Sequence, residues 1–471
     1  MFTENKLKIT PNLLRAFEES RPQNSISGNG IFLLNSFAIR VNDISFFSLI
    51  EIYKNNSDFF YWSIKDNHIS YLALQALFNL RENGTARIQN TDKQINTLNI
   101  KLHNNWDDFG LNNIPLFFGG MKFSPNENGK VWIDYYDSDW MIPEFLLMRE
   151  GSDYFLVVNF LHQKTDLVDL SNQVNKILND ISVTKKLQVV DHSNIILESS
   201  EYNGWTGKVL EALKNIKSGI IQKVVLSREV VWELSHRPSI GELLNILSER
   251  YPKCYVFAFQ RGNSVFFGAS PEKLAKISGG WIETDALAGS IPRGKSDTDD
   301  KKLAGELLAS AKNLNEQKAV VDFITTALST ISDKIIFNKQ PVIRKLPNIQ
   351  HLWTPIKAKL KTGLNLFAIL QQLHPTPAIC GAPWHSALKS ITEMETHDRG
   401  LYAGIIGWFG LENEAEFAVS IRSALLKNKT IYAYAGCGIV NGSDPDLEYE
   451  ETELKLKPIK NLFVHEKTYQ P

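Results

Sequence analysis

Acids, a base and bare backbone stand at a few places in the second half of this 471-residue chain, in settings where chemistry is possible. Lys223 opens the apolar run KVVLSREV. A lysine there ordinarily snorkels its amine to water; desolvated, its pKa falls and it can serve as a general base. Glu272 stands in FGASPEKL (267–274), where a strand gives way to a turn at Pro271. Exposed, it is an ordinary turn carboxylate; partly buried, with its pKa raised, it can act as a general acid. Glu316 lies in AKNLNEQKAVVDFI, with Ala319, Val320 and Phe323 at helical offsets. Glu448 and Glu451, three apart in SDPDLEYEETELK, share one helical face. A solvated helix with early acids and late lysines accounts for that pattern. A hard-cation site also does, because Mg²⁺ takes oxygen ligands and commonly uses one or two carboxylates plus substrate oxygens. Gly436 and Gly438, in YAGCGIVNGSD (434–444), allow close backbone approach and N–H donors for a carboxylate. A β-bulge or tight packing explains them equally well.

The elements that must position these residues divide the chain near Glu201. Residues 1–200 read as an N-terminal lobe of short aromatic and β-branched strands separated by Asn, Gly and Asp turns. GIFLLNSFAIRV (30–41), PLFFGGMKF (115–123) and KVWIDYYDSDWMI (130–142) are examples. Helical spacing predicts helices over YLALQALFNLREN (71–83) and DLSNQVNKILNDI (169–181). Residues 201–460 form the second region, which carries these candidate residues. A helix is expected over 204–219, ended by Gly219, followed by strands at 223–234, 255–260, 264–269, 400–409, 416–425 and 430–440. Long helical patterns cover 299–332 and 445–457. Strands and helices do not alternate strictly, so an α+β protein with large antiparallel sheets flanked by helices is predicted rather than a doubly wound sheet. Gly404, Gly407 and Gly410 sit inside an apparent strand and so do not form a dinucleotide fingerprint.

Composition narrows the partners. With 51 basic and 52 acidic residues the net charge is -1, giving no electrostatic reason to expect nucleic acid or an anionic membrane. MFTENKLKITPNLL has neither the basic nor the apolar region of a secretory signal, and runs such as YFLVVNFL (154–161) are too short to span a bilayer. Cys254, Cys380 and Cys437 are odd in number and lack metal spacing. A cytoplasmic protein acting on a small molecule is the expectation.

Eight blocks stand in order along the second half: KVVLSR (223–228), FGASPEKL (267–274), ETDALAGSIPRG (283–294), HLWTPIKAKL (351–360), LHPTPAICGAP (373–383), RGLYAGIIGWF (399–409), FAVSIRSAL (417–425) and AGCGIVNGSDPDLEYEETELK (435–455). Together they resemble the chorismate-utilising enzymes: isochorismate, salicylate, anthranilate and aminodeoxychorismate synthases. The resemblance implies two large antiparallel sheets packed face to face with flanking helices, the fold of anthranilate synthase component I. It implies that Glu316 and Glu451 hold Mg²⁺, with Glu448 in support, and that the metal binds the ring carboxylate of chorismate. Arg422, Lys455 and the backbone around Gly436, Cys437 and Gly438 would hold the pyruvyl carboxylate. Gly289 and Ser290 would line the ring-carboxylate end, and His351 would lie near the ring.

Lys223 resembles the lysine that activates water for attack at C2 in the hydroxylating members; in the ammonia-using anthranilate synthases the matching position resembles glutamine instead. Glu272 would protonate the departing C4 hydroxyl from the opposite side. The HPTPA block around Ala378 is also more similar to isochorismate synthases than to ammonia-using members. Isochorismate synthase, an isomerase serving menaquinone or siderophore biosynthesis, is therefore the expected activity. It would need no glutaminase subunit, as a monomer or weak homodimer. Salicylate synthase is the alternative, followed by an aminodeoxychorismate or anthranilate synthase component and a non-catalytic chorismate binder. Gln317 departs from the family's usual histidine, Asn313 from aspartate and Ser290 from threonine. ILES (196–199) superficially resembles a feedback motif but reads as a strand end leading into a helix.

Overall fold

A computed structural model describes residues 32–55, 58–112, 114–125, 130–161, 165–184, 193–200 and 202–464. Lys223–Leu234, rich in β-branched residues and buried along most of its length, is a central strand. It pairs with Thr430–Ile439, with Ile195–Ser200 and, at Lys223 itself, with Ala382. From it one sheet runs through Thr430–Ile439, Ser423–Lys427, Ser264–Ser270, Tyr255–Arg261, Phe59–Ile64 and Ile69–Glu82 to Ser138–Glu150. It continues through Asp153–Phe160 and Phe32–Val41 to Ile100–Asn104, the last pairing being parallel. A second sheet leaves Ser138–Glu150 through Phe117–Met121, Ile405–Phe409, Ala415–Val419 and Lys273–Ser278 to Trp281–Pro292 and Ile349–Leu360. The expected two antiparallel sheets are thus joined in one hydrogen-bonded ladder, and strands from before and after residue 200 share it.

The larger core draws Leu226, Phe257 and Phe266 from the first sheet and Phe117, Leu274, Ile356 and Phe417 from the second. A separate core sets Trp232, Val256 and Leu426 under helices Ile240–Arg250, Leu167–Val183 and Pro445–Lys460. Core burial of this kind is worth roughly 25 cal/mol per Å² of apolar surface, which fixes the strands that carry the site.

Several expectations need correction. The predicted helix over 71–83 is the strand Ile69–Glu82. Tyr71–Leu74 are buried between two neighbouring strands, and Gln75, at φ 60, precedes a register shift between Ala76 and Phe78. A strand buried on both faces loses its alternation, and a bulge then adds a one-residue slip that imitates helical spacing. The strand expected over 400–409 starts only at Ile405, after a turn. The one expected over 416–425 is two strands, Ala415–Val419 and Ser423–Lys427, broken where Arg422 takes φ 54. The helical stretch 299–332 is two helices, Asp297–Ala309 and Ala311–Ile331, parted at Ser310, whose side chain caps the second. The helices predicted over 169–181, 204–219 and 445–457 form as Leu167–Val183, Tyr202–Lys217 and Pro445–Lys460. Ile195–Ser200 is indeed a strand leading into a helix.

Candidate active site

Both sheets and two helices bring the predicted residues to one cavity. Gly436, Cys437 and Gly438 line it from the strand beside Lys223–Leu234, and Glu451 and Lys455 from the helix that follows. Gly289 and Ser290 enter from Trp281–Pro292, His351 from Ile349–Leu360 and Glu316 from Ala311–Ile331. Glu272, Ala378 and Arg422 arrive on turns and loops. Lys223 stands at the cavity edge: its Nζ lies 2.7 Å from Glu316 Oε1. Glu448 stands off the cavity wall, its Oε1 3.2 Å from Lys312 Nζ. A larger cavity, about 530 Å³, opens beside Trp205, Lys208 and His397, and none of the predicted residues line it.

Two glycines are required by space. At Gly438 a Cβ would come within 2.7 Å of Lys223 Cε and 3.1 Å of Glu316 Oε1, so any side chain there displaces the pair. Gly289, at φ 72, forms the bulge between Ala288 and Ser290; a Cβ there would meet Asn313 Oδ1 at 3.0 Å. The bulge turns Ser290 so that its Oγ lies 3.0 Å from His351 Nδ1.

Electrostatics sort these groups by role. Burial pushes the Glu272 carboxyl up to about 8, and the Asp285 carboxylate adds to the rise against Arg422, Lys455 and Lys223. Its backbone is fixed by Ser270 Oγ and by Val419 N–H, so the acid is held at the wall. Burial, with Arg422 and Lys455, also drives His351 well below the usual imidazole range. A neutral ring at 3.2 Å from the Gly289 carbonyl donates from Nδ1, which assigns Nε2 as a bare acceptor without a partner among the described residues.

Arg422 is buried, and among the described residues its guanidinium makes no hydrogen bond or ion pair. Burial pulls its pKa down while Tyr402, Glu451, Cys254 and Glu272 pull it up. Lys455 Nζ lies 2.6 Å from Glu451 Oε1 and 2.9 Å from the Gly436 carbonyl. Burial works against its charge, yet Glu451 raises its pKa overall. Two cations on one wall, one of them uncompensated, suit a small carboxylate ligand.

A metal's fit can be judged from the donors. Glu316 and Glu451 offer oxygen to the same cavity, but each is now held by a lysine. Among the described residues no three His, Cys, Asp or Glu side chains form a ready-made site. Mg²⁺ that keeps its waters and takes one or two carboxylates plus substrate oxygens needs no such cluster, so the donor set fits it. Gln317, next to Glu316, does not line the cavity. Its Nε2 donates to the Ala286 carbonyl at 2.9 Å and Thr354 Oγ1 at 3.0 Å, tying the helix to the second sheet.

Residue types alone did not single out Tyr402, Arg399 or Asp285. Tyr402 lines the cavity stacked on Tyr434, its ring centroid 5.4 Å away. Arg399 also reaches the wall but is spent on Glu395 at 2.6 Å and the carbonyls of Val225 and Ile379. Tyr402 falls in the run expected as plain strand (400–409) and Arg399 just before it, where the turn that aims them leaves no signal.

Comparison with known proteins places this geometry. The family described as chorismate binding enzyme matches residues 25–464. The chain belongs to the chorismate-binding enzyme family. Within it, the chain is 32% identical over 407 residues to isochorismate synthase MenF of Bacillus subtilis, covering 85% of this chain and 86% of that one. It is 34% identical over 354 residues to the salicylate biosynthesis isochorismate synthase of Pseudomonas aeruginosa, 74% of each chain. The fold matches the solved structure of MenF, the menaquinone-specific isochorismate synthase from Escherichia coli, with a TM-score of 0.78 at 24% identity, over 96% of this chain and 98% of that one. Anthranilate synthase component I from Streptococcus pneumoniae shares the fold at a TM-score of 0.71 and 22% identity, over 83% of this chain and 92% of that one. Among the described residues no helix is long and apolar enough to cross a membrane.

Proposed function

We propose that this chorismate-binding enzyme is an isochorismate synthase, adding water at C2 of the ring and expelling the C4 hydroxyl. The observation that carries the reading is the meeting of a buried proton donor, Glu272, with a buried amine, Lys223, at one anion-binding cavity. An allylic displacement of hydroxyl by water needs one group to take a proton and another to give one. Glu272, held protonated to about pH 8, supplies the proton that turns the departing hydroxyl into water. Lys223 is the group that takes the proton of the attacking water, and its Nζ is positioned by a hydrogen bond donated to Glu316 Oε1 at 2.7 Å.

Arg422 and Lys455 bind and orient the pyruvyl carboxylate, with the Tyr402 hydroxyl on the same wall. His351 Nε2 accepts from a substrate hydroxyl, and Ser290 holds the ring by fixing its other nitrogen. Ala378, Leu287 and Ile421 exclude solvent from the ring. Glu316 and Glu451 would hold Mg²⁺, with Glu448 behind them against Lys312. When bound, Mg²⁺ neutralises the ring carboxylate. Purified chain given chorismate and Mg²⁺ is expected to yield isochorismate with no pyruvate, read by chromatography and a lactate-dehydrogenase-coupled assay. Stoichiometric pyruvate would instead mark salicylate formation, and amination in ammonium would mark an ammonia-using enzyme.

A further inference from the structure

The cavity sets two demands against each other. Binding an anionic substrate calls for cations, yet Arg422, Lys455 and Lys223 all favour the ionised form of Glu272, which must stay a proton donor. Burial opposes them. So does one carboxylate, that of Asp285. Glu272 immediately precedes Lys273–Ser278, and that strand turns back into Trp281–Pro292, which carries Asp285, in a hairpin with Ile277 opposite Ile282 and Lys276 opposite Glu283. Asp285 is itself buried, at 5% exposure, and so is not a solvated surface acid.

A buried carboxylate is costly without a partner. Arg344 is that partner: its Nη1 lies 2.9 Å from Asp285 Oδ2, and its guanidinium sits 5.3 Å over the Trp353 ring. Arg344 belongs to Val342–Lys345, which pairs with the strand of His351, so the anchor is part of the same sheet. The other groups on the cavity wall compete less. His351 is neutral, Tyr402 keeps its proton, and Glu316 and Glu451 each have a lysine partner.

We propose that Asp285, anchored by Arg344, is a positioning residue for the reaction: its fixed negative charge offsets the cations of the anion-binding wall and keeps Glu272 a proton donor. The role rests on the reading of Glu272 as the acid of the displacement. It acts through Glu272, not by touching substrate, and it gives the acid and the anion site separate electrostatic control.

The test is an infrared titration of the full, substrate-free chain. Glu272's protonated-carboxyl band is isolated as the difference between wild type and Glu272→Gln. Its midpoint is expected near 8 in wild type and lower by about one pH unit in Asp285→Asn. Asp285→Glu, which keeps the charge, is expected to stay near wild type and guards against a folding effect of the first variant. An unmoved midpoint in Asp285→Asn overturns the role, as does a fall in Asp285→Glu as large as that in Asp285→Asn. Because the band is read without chorismate, these outcomes are independent of the product. A product other than isochorismate overturns the functional reading alone.

Discussion

Glu272→Gln should stabilise the folded chain, and more at high pH than at low. In the fold the carboxyl is raised to about 8, against 4.5 for an unperturbed glutamate. Between those values the unfolded chain has released the proton and the folded chain still holds it. Stability contributed by the protonated group is therefore complete below pH 4.5, falls as pH rises, and is lost above about 8. At 1.36 kcal/mol per unit, wild type gives up about 2 kcal/mol by pH 6 and about 4–5 kcal/mol by pH 9. Glutamine is neutral throughout and has the shape of the protonated acid. The gap in unfolding free energy between variant and wild type should thus widen by about 2–3 kcal/mol from pH 6 to pH 9. Urea unfolding followed by tryptophan fluorescence at both pH values measures it. A gap that stays constant, or narrows, would refute a Glu272 carboxyl protonated in the fold.

Other consequences follow from the cavity walls. Arg422→Ala removes a buried guanidinium that has no hydrogen-bond or ion-pair partner among the described residues, so KM for chorismate should rise by about 10- to 100-fold, the worth of a charged hydrogen bond; an unchanged KM in steady-state assays contradicts the anion site. Gly438→Ala puts a methyl 2.7 Å from Lys223 Cε, and kcat should fall by about 100-fold while circular dichroism is unaltered. EDTA should abolish turnover and added Mg²⁺ restore it, whereas Glu316→Ala should not recover; a Glu316→Ala enzyme that is active in EDTA contradicts the metal assignment.

What the sequence made legible depended on how each residue is surrounded. Strands such as Lys223–Leu234 and Thr430–Ile439 were readable because β-branched runs end at recognisable glycines and turns. Ile69–Glu82 was not, because neighbours on both faces erase alternation and the register shift after Gln75 imitates a helix. The break at Arg422 left no glycine or proline to announce it, though it aims the guanidinium into the cavity. Individually, Lys223, Glu272 and Glu448 favoured solvent-exposed explanations, and all three are buried. Their meeting was visible only through the ordered blocks, since it depends on strands far apart in the chain. Asp285 matters through a neighbouring hairpin strand and an arginine 59 residues away, which no local spacing could reveal.

In the proposed reaction water is the nucleophile at C2 and the C4 hydroxyl leaves. Turnover of chorismate in ¹⁸O-labelled water, with Mg²⁺ present, distinguishes this from hydroxyl migration. One ¹⁸O is expected in each isochorismate formed, located at C2 by mass spectrometry. Unlabelled isochorismate would mean that the hydroxyl migrates within the substrate, and the assignment of Lys223 as the group that activates water would fall.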